Sequence, residues 1–295
     1  MGMDKVICVD LDGTLFYPPR RVKMISDGNK KFIDRFLDDG GRLVLVSGRN
    51  LYTPMKVAEV LGRDIDVIGC NGAFVLSGGH YVKETFFEKE FAKNLIKEVG
   101  REFPVRLTML FTKHRNIVMP LSGVGSWTGF CYSVYQLSQM AYRDPVIRSD
   151  KAYYEELEKG EIYKIMFFFG IAGPAIETAK NCNKELRERY PGAEWSWCRQ
   201  AIEITPAGCS KDSGIASYLE YNKIDKDNVL VVGDSGNDIS MFEAYQKNSF
   251  CMEHSPDAVK KHAAHVVKRF YDLEKYLYPS EERNKPLEKG STAKQ

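Results

Sequence analysis

Lys5-Val-Ile-Cys-Val-Asp10-Leu-Asp12-Gly-Thr14 is a short β-branched apolar run that stops at a carboxylate and turns at Asp12-Gly13. Such a run, apolar at every position, is the pattern of a strand buried on both faces of a parallel sheet. Two further runs repeat it: Arg42-Leu-Val-Leu-Val-Ser47 leads into Gly48-Arg49, and Asn228-Val-Leu-Val-Val-Gly233 leads into Asp234. Between the first two, Phe32, Ile33, Phe36 and Leu37 recur at helical spacing from about Ser26 to Asp39, with Gly40-Gly41 as the stop. A second helical stretch covers roughly Tyr52 to Leu61, and a further strand Asp66 to Cys70. Strands alternating with helices predict an α/β fold, a doubly wound parallel sheet built from right-handed βαβ units.

The pattern changes near Tyr81. From there to about Pro206 the expected order is a helix (Glu88–Phe103), strands (Val105–Thr112, Asn116–Pro120) and a weaker helix around Phe130–Tyr142. A strand (Ile162–Phe169), a helix (Pro174–Tyr190) and two closing strands (Glu194–Cys198, Ala201–Thr205) follow. Hairpin-like strand pairs mixed with helices point to an antiparallel sheet with helices on one face. The parallel pattern resumes with a helix from about Asp212 to Tyr221. The 295 residues are comfortable for two domains. The expected division is a core of residues 1–82 and 207–278, an inserted α+β domain at 83–206, and a flexible charged tail at 279–295.

Composition narrows the function. Lys and Arg number 42 against 40 Asp and Glu, a formal charge of +2, with the signs interspersed. A protein that holds a polyanion through its backbone shows a one-signed patch, so no nucleic-acid partner is expected. The seven cysteines, Cys8, Cys70, Cys131, Cys182, Cys198, Cys209 and Cys251, include no C-x-x-C pair, and several sit in apolar runs. They read as reduced thiols of a cytoplasmic protein. No stretch reaches membrane-spanning length, and no membrane partner is expected. Oligomeric state has no sequence signal.

Open parallel sheets place their ligand sites at the carboxyl ends of the strands. There the sequence collects Asp10 and Asp12, then Ser47, then Asp234 and Asp238, with Lys211 ahead of a helix nearby. Carboxylates converging on one rim repel, and a hard divalent cation with oxygen ligands, Mg2+ the commonest, resolves the repulsion. A lysine and a serine at a helix start are what a phosphoryl group needs. The combination points to phosphoryl transfer.

Asp10-Leu-Asp12-Gly-Thr14, Ser47-Gly48-Arg49, Lys211 and Gly233-Asp-Ser-Gly-Asn-Asp238 resemble the four ordered motifs of the haloacid dehalogenase superfamily. The long insertion resembles its C2-type cap, and Asn71-Gly-Ala73, Ile202-Glu-Ile-Thr-Pro-Ala-Gly-Cys-Ser-Lys211 and Asp257-Ala-Val-Lys-Lys suit the Cof-like (type IIB) subfamily. The motifs run from Val6 to about Val267; inside the cap only element order and the closing strand are similar. Met252-Glu-His-Ser255 departs from the Met-Gly-Asn-Ala often found there, and Ser47 stands where threonine is common.

The resemblance implies a Mg2+-dependent phosphatase acting on small phosphorylated metabolites such as sugar phosphates, with a cap that closes over the site. It implies Asp10 as nucleophile and Asp12 as the group that protonates the leaving oxygen and then deprotonates water. Alternation along an extended segment puts both on one side. A carboxylate oxygen of Asp10, the Asp12 carbonyl and Asp234 would hold the metal, with Asp238 a further ligand or a holder of its waters. Ser47, Gly48, Lys211 and Asn237 would bind the phosphoryl group, and Gly13 and Gly236 would permit tight turns. Rivals are a phosphomutase on the same core and a binding protein without turnover; a dehalogenase has no use for Asp12. Trp127, Trp195, Trp197, Arg199, His114 and Arg115 are candidate substrate selectors, though aromatic residues of a small α+β domain are expected in its core. Arg49 reads equally as a helix-start residue or a substrate contact, and Cys8 as packing. His80, His254, His262 and His265 read as surface residues.

Overall fold

A computed structural model describes residues 4–19, 22–121, 126–138, 140–170 and 173–278. The charged tail expected at 279–295 lies outside the described residues. In chain order the first elements are β1 (Val6–Val9), α1 (Asp27–Asp38), β2 (Arg42–Val46), α2 (Tyr52–Leu61), β3 (Asp66–Gly69), β4 (Phe74–Ser77) and β5 (His80–Glu84). There follow α3 (Lys89–Glu102), β6 (Leu107–Thr112), β7 (Ile117–Met119), α4 (Ser126–Ser138), β8 (Val146–Arg148), α5 (Asp150–Lys159) and β9 (Ile162–Phe168). Next come α6 (Pro174–Arg189), β10 (Ala193–Cys198), β11 (Ala201–Pro206), α7 (Lys211–Asn222) and β12 (Val229–Gly233). The described chain closes with α8 (Ile239–Ala244), β13 (Ser249–Met252), α9 (Asp257–Lys260), β14 (His265–Val267) and α10 (Glu274–Leu277).

The strands form two sheets. One has the order β14-β13-β12-β1-β2-β3-β4-β5, parallel from β14 to β3 with the antiparallel hairpin β4–β5 at its edge. The apolar runs are buried on both faces because alternate residues serve opposite layers. Ile7, Val9, Leu43 and Leu45 pack with Phe32 and Phe36 of α1, while Val6, Cys8, Val44 and Val46 pack with Tyr218 of α7 and Met241 and Phe242 of α8. Ser26 caps α1 by accepting from the Asn29 amide at 3.2 Å, which marks its start.

The second sheet, β10-β11-β9-β6-β7-β8, is antiparallel apart from the β7–β8 pair. Apolar residues of α3, α5 and α6 cover one face of it. Its other face, with Leu107, Met109, Phe111 and Tyr163, packs on Val67, Phe74 and Leu76 of the parallel sheet. The inserted domain therefore sits as a lid directly on the carboxyl-end side of the core.

Several elements exceed the sequence expectations, among them β8, α8, β13, α9, β14 and α10. Helix α5 is not among the expected elements, although Ser149 caps it at the Ala152 amide and Gly160 ends it in the left-handed region. The β4–β5 hairpin turns at Gly78-Gly79, both at positive φ, a recognisable two-residue signal. Among the described residues no helix is long and apolar enough to cross a membrane.

Candidate active site

Asp10 follows the last residue of β1, and its amide donates to the Val232 carbonyl at 2.9 Å, so the ends of β1 and β12 are locked side by side. That register brings the first and fourth polar clusters together across 220 residues: Thr14 Oγ1 donates to Asp234 Oδ1 at 3.1 Å. Lys211, the first residue of α7, sends its Nζ into the same place, 2.6 Å from Asp10 Oδ1 and 2.5 Å from Asp238 Oδ1. All three are buried; Lys211 is 1% exposed, Asp10 5% and Asp238 0%. The other oxygen of Asp238 accepts from the amides of Asp234 and Ser235 at 2.9 and 2.8 Å, which ties the turn after β12 to the lysine.

Each carboxyl oxygen of Asp238 thus has protein donors, so Asp238 braces the site from beneath. Ligand atoms of Asp10, Asp234 and Asp238 lie within 4.8 Å of one another. Burial pushes the Asp10 carboxyl well above the usual carboxylate range, Lys211 opposes this, and Asp238, Asp234 and Asp12 add to it. Asp234 is pushed up to about 7, by burial first and then by Asp238. For Lys211 burial lowers the ammonium, yet Asp10 and Asp238 outweigh it and hold the proton on. One buried cation against this many carboxylates is an arrangement short of positive charge, and the donor set is all oxygen. The residues fit a hard divalent cation.

Gly13, at φ +82°, carries the chain over Asp234: a Cβ there would stand 2.2 Å from Asp234 Oδ2. Gly13→Ala is expected to lower stability by about 2 kcal/mol, from the left-handed backbone and the displaced carboxylate together. Denaturant unfolding checks it, and an unchanged midpoint would contradict the close approach. Gly236 is a correction: its φ is not positive and its Cβ direction is open, so that turn does not require glycine.

Ser47 is 1% exposed at the end of β2, its Oγ accepting from the Arg49 amide at 3.1 Å and its carbonyl from the Asn71 amide at 3.0 Å. The Gly48 carbonyl accepts from Lys164 Nζ at 2.6 Å. Asn237 Nδ2 donates to Asn71 Oδ1 at 3.3 Å. The Asp12 side chain turns away from this buried cluster and pairs with Arg49, whose Nε and Nη2 donate to its two oxygens at 2.6 and 2.8 Å.

Sequence reasoning missed the lid's polar contribution. Lys164 of β9, 2% exposed, also bonds Glu203 Oε1 at 2.9 Å and lies 4.0 Å over the Phe111 ring. Glu203 Oε2 accepts from Asn71 Nδ2 at 3.0 Å. A lysine inside an apolar strand carries no signal until its partners are known. Of the candidate selectors, Trp195 is buried in the lid's core, as expected of an aromatic. Trp127 and Trp197 are exposed instead, Trp127 stacking on Phe130 and Trp197 Nε1 donating to the Arg199 carbonyl at 2.6 Å. Arg199 is exposed, His114 pairs with Glu161, and Arg115 with Glu155, all within the lid. His254 is exposed, as expected of a surface residue, and it also stacks on Tyr17 at 3.9 Å with Nε2 3.7 Å from Asp234 Oδ2, because β13 lies next to β12 and its end returns to the rim. Cys8 is fully buried, and burial pushes its thiol up, as suits packing.

Comparison with known proteins agrees with this arrangement. The sequence model described as haloacid dehalogenase-like hydrolase matches residues 7–272. The chain is 25% identical over 285 residues to a 5-amino-6-(5-phospho-D-ribitylamino)uracil phosphatase of Bacillus subtilis, covering 90% of this chain and 93% of that one. It is 26% identical over 266 residues to a pyridoxal phosphate phosphatase of Escherichia coli, covering 89% and 93%. A subclass IIB sugar phosphatase of the same superfamily shares the fold at TM-score 0.71 and 20% identity, over 92% of this chain and 95% of that one.

Proposed function

The chain belongs to the haloacid dehalogenase-like hydrolases, and we propose that it is a phosphatase that hydrolyses small phosphorylated metabolites, sugar phosphates foremost, through an aspartyl-phosphate on Asp10. The observation that carries the reading is the buried Lys211 ammonium held between Asp10 and Asp238 at 2.6 and 2.5 Å, beside the clustered carboxylates. A nucleophilic carboxylate next to a fixed cation is suited to receiving a phosphoryl group, whose oxygens the cation neutralises.

In this reading an Asp10 oxygen attacks phosphorus, the bond to the leaving oxygen breaks, and Asp12 supplies that oxygen's proton. Water then attacks phosphorus, Asp12 takes the water's proton, and the bond to Asp10 breaks to release inorganic phosphate. Ser47, the Gly48 loop and Asn237 orient the phosphoryl group, and Lys211 balances its charge. Asp10, the Asp12 carbonyl and Asp234 would hold Mg2+, with Asp238 behind them. When bound it supplies electrostatic stabilisation of the transferring group. The lid reaches the site through Lys164 on the Gly48 carbonyl and Glu203 on Asn71. The two phosphatases and the sugar phosphatase described above are named for phosphate monoesters of small molecules, which supports the same class here. The free thiols and even charge suit a cytoplasmic place of action.

The test is phosphate release from a panel of sugar phosphates, pyridoxal phosphate, nucleotides and p-nitrophenyl phosphate, with Mg2+ and with EDTA. Turnover is expected on several small esters, falling by roughly 10³-fold or more when EDTA removes the metal. Activity indifferent to EDTA contradicts the metal assignment. Phosphoenzyme formation without phosphate release would favour a mutase instead.

A further inference from the structure

Lys164 of β9 and Glu203 of β11 pair at 2.9 Å on the face of the inserted domain that meets the core. Lys164 Nζ also donates to the Gly48 carbonyl at 2.6 Å, in the loop that carries Ser47. The ammonium is thereby held between two oxygens, and it holds one end of the Glu203 carboxylate in place. The other end, Oε2, accepts from Asn71 Nδ2 at 3.0 Å. Asn71 Oδ1 accepts from Asn237 Nδ2 at 3.3 Å, and Asn237 Oδ1 from Ser235 Oγ at 2.6 Å. A line of hydrogen bonds thus runs from the inserted domain to the turn after β12. Gly48 leaves room for it: a Cβ there would stand 3.0 Å from Asn71 Oδ1 and 3.4 Å from Glu203 Oε2.

The backbone that presents Asn71 is strained. Cys70 and Asn71 lie at φ +47° and +54°, ahead of Gly72 at +92°. Two non-glycine residues in succession in that region persist only where the surroundings over-determine them, and such places cluster at functional sites. Here the Cys70 amide donates to the Arg49 carbonyl at 2.9 Å and the Asn71 amide to the Ser47 carbonyl at 3.0 Å. The turn sets the buried Asn71 side chain between Glu203 and Asn237.

We propose that Glu203, anchored by Lys164, is a positioning residue that sets the polarity of the Asn71 amide and so aims an Asn237 N–H at the transferring phosphoryl group. The inference rests on the reading of Asn237 as one of the phosphoryl-binding residues. A carboxylate has no donor, so it fixes which end of the Asn71 amide faces it, and that in turn fixes which end of the Asn237 amide faces Asn71. Asn237 carries two N–H donors; Asn71 takes one and leaves the other for a phosphoryl oxygen. A glutamine at 203 would lift the constraint, because its amide can present either end to Asn71. The reversed line brings the Asn237 carbonyl to where its N–H stood, against an anion. A buried ion pair is a poor source of stability, so the Lys164–Glu203 contact is better accounted for by the polarity it imposes. Glu203 then acts on the transferring group and not on the leaving group, and its loss weakens every ester alike.

The probe is inorganic phosphate, read as its inhibition constant against p-nitrophenyl phosphate in the full chain with Mg2+. Glu203→Gln is expected to raise that constant about tenfold, the worth of one hydrogen bond to a charged group. It should lower kcat/KM by a similar factor on p-nitrophenyl phosphate and on a sugar phosphate active in the panel. In an Asn237→Ala background the same substitution should move the constant less than about twofold, because Glu203 acts through that amide. Asn71→Gly keeps the left-handed backbone and removes the link. It should match Glu203→Gln, and it decides alone should Glu203→Gln fail to fold. An unchanged inhibition constant, a loss confined to the sugar phosphate, or a tenfold loss that persists beside Asn237→Ala overturns the positioning role and leaves the phosphatase reading standing. A wild-type protein that hydrolyses no ester of the panel overturns that reading itself.

Discussion

Asp10→Asn is expected to abolish turnover on every ester, a loss of roughly 10⁴-fold or more, while leaving the protein folded. The amide has the shape of the carboxylate but not its nucleophilic oxygen, and the Asp10 amide-to-Val232 bond that positions the loop is untouched. The buried carboxylates also make a second expectation. Asp10, Asp234 and Asp238 repel one another, and burial raises Asp10 further. In EDTA the variant should therefore be at least as stable as the wild type, the usual relation between an active site and the strain it holds. Rapid quenching with labelled substrate reads the chemistry directly. Wild-type protein should carry a hydroxylamine-sensitive acyl phosphate, and the variant none. Turnover within tenfold of wild type would remove Asp10 from the reaction.

Lys211→Met should damage both function and fold. Methionine fills much of the same volume but leaves two buried carboxylates without the cation that both contact. Removing one partner of a buried ion pair costs about 3–5 kcal/mol, and for a chain of this size that is a fall in melting temperature of about 10 °C or more. Activity should fall by roughly 10³-fold, since the developing phosphoryl charge loses its nearest fixed counter-charge. Adding Asp238→Asn to Lys211→Met separates the two effects: part of the stability should return because a buried charge is removed, but none of the activity. A double variant no more stable than the single one would mean that Asp238 is held mainly by the amides of Asp234 and Ser235.

Lys211 also shows where sequence reasoning succeeds and why. A lone lysine before a helix says nothing by itself; its place in an ordered series after Asp10 and Ser47 and before Asp234 singles it out, and the structure brings it to Asp10 and Asp238. Asp12 shows the limit. Its spacing puts it on the same side as Asp10, but the structure turns its carboxyl to Arg49, 37 residues away. Arg49 in turn answers to Asp144, 95 residues on. Neither pairing has a local signature. Lys164 carried no signal, a polar residue in an otherwise apolar strand, and Glu203 stood in a quoted motif without a role until the lid was seated on Gly48 and Asn71.

What the sequence by itself determined is the parallel core and the rim of charged groups at its strand ends. Strands buried on both faces must be continuously apolar, and polar residues can collect only where such strands stop. Helix caps and glycine stops are equally local, so α1 and α2 were legible almost to the residue. What only the tertiary structure decided is how the lid meets that rim: the contacts of Tyr142 and Asp144 with Arg49, the Lys164–Glu203 pair, and the pairing of Asp12 with Arg49. These depend on docking two sheets against each other, where each bond joins residues whose separation in sequence carries no periodicity. The geometry comes from shape and charge complementarity across that junction, which exists only once both domains are folded.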